Sequence, residues 1–125
     1  MNALQKIYYA LGELAYVVAE SDGKIQNSEV NKLHELVVNQ IKKHNVSFEY
    51  SDIIFSVLNE EKANVDLIYN LAIDELKSVS NYLTPEIKEQ IISVLTKIGE
   101  SYHHVTLRQK EIIGKVELEL RKLNV

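Results

Sequence analysis

Apolar residues at positions 4, 7, 8, 11, 14, 15 and 18 recur with the 3.6-residue period of an α-helix, and Asn2 in front of them is a good N-cap. This first helix is expected to end near Ser21, where Ser21-Asp22-Gly23-Lys24 reads as a turn. Gly23 can take the positive φ that closes a helix, and Asp22 can bond its own backbone. A second helix is expected from about Asn27 to His44, burying Val30, Leu33, Leu36, Val37 and Ile41. After a loop from Asn45 to Tyr50, a short helix begins near Ser51 with Ile53, Ile54, Val57 and Leu58 as its apolar positions. The segment from Asn64 to Ser80 is apolar around most of its circumference, which predicts a central helix covered on several sides.

Thr84-Pro85-Glu86 combines an N-cap hydroxyl, proline at the first helical position and an acid in the first turn, and so marks the start of a fifth helix. Its apolar positions are Ile87, Ile91, Val94, Leu95 and Ile98. Following a turn from Ser101 to His104, Thr106 and Gln109 have the spacing of a capping box, and a last helix runs on through Ile112, Ile113, Val116, Leu120 and Leu123. No segment alternates with period two. The expectation is an all-α bundle of about six helices forming one domain over residues 1–125, with short connections that favour antiparallel neighbours. Two helix-turn-helix units also echo one another: Glu20-Ser21 before Ile25 and Leu33 is matched, at a constant offset, by Glu100-Ser101 before Val105 and Ile113. Tyr102 and His103 stand in the second unit where Asp22 and Gly23 stand in the first.

Composition narrows the chemistry. The chain has 125 residues, 46% of them hydrophobic and 26% charged, and four glycines with one proline leave no linker-like stretch. With no cysteine, thiolate catalysis and cysteine-based metal sites are excluded. A net charge of −4 gives no electrostatic reason to approach nucleic acid or anionic lipid. The N-terminus lacks the features of a signal peptide and no apolar run approaches membrane-spanning length, so the expected setting is cytoplasmic, without membrane insertion.

One segment carries candidate chemistry. Aligned to a calcium EF-hand loop with Gly23 at loop position six, Glu29 falls at twelve, Asp22 at five, Glu20 at three and Ile25 at the apolar position eight. Position one falls on Val18, part of the apolar stripe of the first helix, so a main carboxylate ligand is missing. These residues therefore offer at most a weak site for a hard divalent cation such as Ca²⁺, Mg²⁺ or Mn²⁺, held by Asp22, Glu29 and Glu20. The same residues also have purely structural work available, since Gly23 closes the turn, Ile25 plugs between helices and Glu29 favours the N-terminus of the second helix through its dipole.

An apolar helix running into Ala19-Glu20-Ser21-Asp22-Gly23-Lys24-Ile25, followed by Glu29, resembles the signature of the tellurite-resistance TerB-like family: alanine, a small residue, Asp-Gly, any residue, Ile or Val, and Glu four places later. The resemblance extends loosely through the helical repeat. It implies an all-helical, non-enzymatic domain of bacterial stress and metal-resistance systems, found also fused to membrane-anchored DnaJ-like co-chaperones, in which acids of this turn are proposed to bind a divalent cation. Asp22 and Glu29 match the acids of that motif, and Gly23 and Ile25 its turn and its core plug. Gln26 departs from the Asp or Ser usual there, removing a helix cap and a metal oxygen, and Tyr102-His103-His104 replaces an expected second Asp-Gly turn.

Two further groups stand out. Tyr9 and Tyr16, with Glu13 and Glu20 on nearly the same stripe, lie off the core face of the first helix; left uncovered they form a polar-rimmed aromatic interaction surface, unless the fourth or sixth helix covers them. His103-His104 beside Glu100 would support a metal-assisted hydrolase only if a pocket joined them to the Asp22 turn. His34, His44 and the run Asn59-Glu60-Glu61-Lys62 read as surface and loop residues. The phosphate-binding glycine loop, the Gly-x-Ser-x-Gly elbow and His-Glu-x-x-His are absent from the sequence. The reading that follows is a non-catalytic module for protein interaction or stress and metal response, with a protein partner of unknown identity and a homodimer within reach; the alternative is a cation-binding regulatory domain built on Asp22-Gly23 and Glu29.

Overall fold

The computed structural model describes residues 1–101 and 103–123; Tyr102 and the last two residues lie outside it. Among the described residues there are six α-helices and no strand: α1 (Ala3–Glu20), α2 (Asn27–Lys42), α3 (Glu49–Glu61), α4 (Val65–Ser78), α5 (Pro85–Glu100) and α6 (Leu107–Lys122). Short 3-10 turns, Val46–Phe48 and Ser80–Tyr82, lead into α3 and out of α4. None of these helices is long and apolar enough to cross a membrane.

The helix starts are built by the residues whose chemistry favours them. Asn2 accepts from the Gln5 N–H and Gln5 reaches back to the Asn2 N–H, while Thr84 and Thr106 accept from Ile87 and Gln109 in the same way. Gly23 takes φ +89° in the turn after α1. The run Asn59 to Lys62 is the end of α3 rather than a loop, and Lys62 closes that helix in the left-handed region at φ 52°.

The central helix is α1, not α4. The segment after Asn64 does carry apolar residues all round, but Leu67 is 57% exposed and Leu71 is exposed as well, whereas α1 is buried from Ala10 through Ala19. The cause is packing distance. α1 is covered most extensively by α3 and α4 and is also touched by α5 and α6, and its small residues Ala10, Gly12, Ala15 and Ala19 let those helices approach. At Gly12 a Cβ would lie 2.4 Å from the Ser51 carbonyl oxygen and 2.4 Å from Ile54 Cγ2, so this crossing with α3 requires glycine. The Ser51 hydroxyl, fully buried at the same contact, donates to the Tyr8 carbonyl.

The sequence echo between the two helix-turn-helix units has a structural counterpart. α1 ends at Glu20 and α5 at Glu100, and α2 and α6 begin at Asn27 and Leu107, a constant separation of 80 residues. Ser21 and Ser101 both cap with hydroxyl bonds of 2.7 Å, to the carbonyls of Val18 and Ile98 respectively. The N3 residues of the two following helices, Glu29 and Gln109, are both buried.

Candidate functional site

The two turns face each other. Between them lies a cleft of about 300 Å³ whose walls include Asp22, Lys24, Glu29, His103, His104 and Gln109. α1 and α2 supply the first turn, α5 and α6 the second, so the ends of four helices meet at one place.

A hydrogen-bond chain ties them together. Glu29 Oε1 accepts from the Gln26 N–H at 2.9 Å, closing the first turn of α2. Gln26 makes no side-chain cap of its own, as its departure from Asp or Ser led one to expect. Across the cleft, Gln109 Oε1 accepts from the Thr106 N–H at 3.1 Å, and its Nε2 donates both to the Val18 carbonyl at 3.3 Å and to Glu29 Oε2 at 3.4 Å. Thr106 in turn donates from Oγ1 to Asp22 Oδ1 at 3.2 Å. Asp22 therefore reaches over to the start of α6, a role different from the local turn bond that its sequence position suggested. Gly99 lies under the same cleft, where a Cβ would sit 3.2 Å from Gln109 Oε1.

Glu29, only 3% exposed, is the hub of this chain. Burial raises its proton affinity above that of an ordinary glutamate; the Gln26 backbone N–H acts in the opposite sense, and the nearby charge of Asp22 adds to the rise. Charge crowding is thus present, but a full coordination sphere is not. Among the described residues no three His, Asp or Glu side chains come together in a group able to hold a metal ion. Glu20 is not among the cleft walls, and both Glu29 oxygens already accept protein hydrogen bonds. The set Asp22, Glu29 and Glu20 accordingly does not fit a fully ligated ion, and only Asp22 and Glu29 share the cleft.

The histidines are placed where a hydrolytic site would need them in one respect only. His103 and His104 are exposed and both line the cleft with Asp22, so adjacent residues here do serve a common wall, but Glu100 is not part of it. His34 pairs with Asp52 at 2.8 Å on the surface, and His44 is exposed.

The Tyr9, Glu13 and Tyr16 stripe is not an open interaction surface. Tyr16 is 1% exposed, its hydroxyl donating to the Ala63 carbonyl at 2.6 Å and its ring meeting Phe55 edge-on at 6.4 Å. Glu13 is 4% exposed, and Tyr9 is half-buried. The covering elements are α3, α4 and the link between them, which hide a stripe that the periodicity of α1 alone places outside its core face. Glu13 is a consequence of that cover: its Oε1 has no hydrogen-bond partner, and desolvation together with the charge of Glu75 on α4 raises its pKa to about 8. The same two carboxyl groups, after burial itself, raise the pKa of Tyr9.

In the sequence alone Gln109 and Thr106 show no more than a helix start. The detectable signal was their position: Thr106 and Gln109 stand in the repeat where Gln26 and Glu29 stand in the first unit. Comparison with protein-family models, with curated proteins and with solved structures returns no match to this chain.

Proposed function

We propose that this chain is a non-catalytic, TerB-like module for protein interaction in bacterial stress or metal response, and that the cleft between its two turns is the recognition element. The observation that supports this reading most directly is the bond chain from Asp22 through Thr106 and Gln109 to Glu29. These polar groups are committed to fixing helix ends relative to one another, so a ligand that engages Asp22 or displaces the Gln109 contact changes the relation of α2 to α6. That is the property of a coupling element, in which a local contact is converted to a change between helices. Of the motif residues of the TerB-like resemblance, Asp22 and Gly23 lie in this turn, Ile25 follows it and Glu29 is in the first turn of α2.

The cation-responsive form of the same reading rests on the crowding of Glu29 by Asp22. Two carboxylates in one cleft would hold a largely hydrated divalent ion, with weak affinity.

Both forms are tested with one set of proteins. A photoreactive amino acid at the exposed Lys24 position should trap a specific partner in cells, and the adduct should disappear in the Asp22→Asn, Glu29→Gln double variant. Calorimetric titration of Ca²⁺, Mg²⁺ and Mn²⁺ into metal-stripped protein shows saturable heat, lost in the same variant, if the cation form holds. A turnover that vanishes when Glu29 or His103 is replaced would contradict the non-catalytic reading.

A further inference from the structure

A second groove lies between α2 and α5, away from the two turns. It encloses about 280 Å³ over a floor that includes Phe48, and its polar lining is Asn39, Gln40, Lys43, Gln90, Ser93 and Lys97. No carboxylate is among its walls, in a protein whose net charge is −4. Neither Lys43 nor Lys97 forms an ion pair with a described acid.

The two glutamine amides are oriented from behind. The Tyr8 hydroxyl donates to Gln90 Oε1 at 2.8 Å, and the Asn45 Nδ2 donates both to the Tyr8 oxygen at 2.9 Å and to Gln40 Oε1 at 3.4 Å. One connected network therefore occupies the acceptor end of each amide. The Nε2 donors of Gln40 and Gln90 take no described partner, and neither is a buried, unsatisfied atom, so both remain open to solvent in a groove they line. The Tyr8 ring that anchors this network is itself held in a stack on Phe48, with centroids 4.7 Å apart.

The two lysines, both exposed, lie against different parts of α2. Lys97 also lines a neighbouring cleft with Lys32, Glu100 and Ser101, toward the first half of α2, whereas Lys43 is at the end of α2. The groove thus offers two ammonium groups and two amide N–H groups, while the oxygens of both glutamine amides are already engaged by Tyr8 and Asn45. We propose that the α2–α5 groove binds a small polyanion, its phosphate or carboxylate groups held by Lys43 and Lys97 and by the Nε2 N–H groups of Gln40 and Gln90. An anion with charge at both ends matches this layout better than a single compact ion, because charge-assisted bonds can then form at both lysines at once.

The test uses the whole chain with inorganic pyrophosphate and, separately, citrate as probes, followed by amide NMR shifts at low salt. Saturable shifts centred on α2 and α5 are expected, and which probe binds more tightly tells phosphate from carboxylate recognition. Lys43→Gln with Lys97→Gln should weaken binding at least tenfold. Gln90→Glu keeps an acceptor for the Tyr8 hydroxyl while placing a negative charge in the groove, and should abolish binding in a protein that is still folded. Lys122→Gln, on α6, should leave the affinity unchanged. Absence of saturable shifts with either probe, or an affinity indifferent to the Lys43, Lys97 and Gln90 replacements, would overturn the proposal.

Discussion

At the scale of single residues, Glu13 is the most exposed to pH although it is among the least exposed to water. It is buried on the central helix with one oxygen unpartnered and Glu75 across from it, so the neutral acid is the form the fold accommodates. The linkage has a definite sign. With a folded pKa of about 8 against an ordinary 4.5, the folded state holds the proton more tightly. The stability this confers is fully present below about pH 4.5 and is lost as the pH rises through about 8, a change on the order of a few kcal/mol. Glu13→Gln mimics the neutral acid. It should be more heat-stable than the parent at pH 9, nearly equal to it at pH 5, and show a flatter stability profile between these values by calorimetry. The charge of Glu13 was plain in the sequence, but its burial was not, because helical periodicity reports the strongest apolar face of α1 and is silent on how many neighbours surround it. The cover over Tyr16 is illegible in the periodicity of α1 for the same reason, since the Ala63 carbonyl that accepts from its hydroxyl belongs to the link between α3 and α4, far along the chain.

At the scale of elements, helix starts were the most legible features of the chain. Asn2, Thr84 and Thr106 act within three residues of themselves, and Gly23 acts on its own backbone, so local chemistry was enough. What could not be read locally is that the start of α6 is also a bridge. Gln109 serves its own helix through Oε1 and two other elements through Nε2. Gln109→Glu separates these functions. The acceptor for Thr106 is retained, but the donor to Val18 and Glu29 is lost and a second carboxylate is buried beside the first. The variant should lose roughly 2–5 kcal/mol at pH 7. It should recover part of that loss at pH 5, where a proton taken up by the acid pair supplies an O–H donor again; urea denaturation at the two pH values reads the difference. The order of centrality among helices was also beyond the sequence pattern: α4 is the more evenly apolar segment, yet α1, with Gly12 against Ser51, is the one its neighbours can approach closely enough to enclose.

At the scale of the whole molecule, two helix-turn-helix units whose turns lie at a constant offset are joined through those turns, and the join contains Asp22 and Glu29, two of the residues that carry the TerB-like resemblance. The sequence echo indicated that two such units exist, but the offset alone does not bring Glu29 against Gln109; that depends on how α1 and α5 pack. If the cleft is a coupling element, the two turns open together. Hydrogen exchange of the backbone amides in a Glu29→Ala variant tests this most directly, because the replaced side chain belongs to α2 while the Gln109 and Thr106 amides belong to the other unit. Faster exchange at Gln26 accompanied by faster exchange at Thr106 and Gln109, with α3 and α4 unchanged, is the expected result. Faster exchange confined to the start of α2, with the amides of Thr106 and Gln109 as protected as in the parent, would show two independent turns and contradict the coupling on which the proposed function rests.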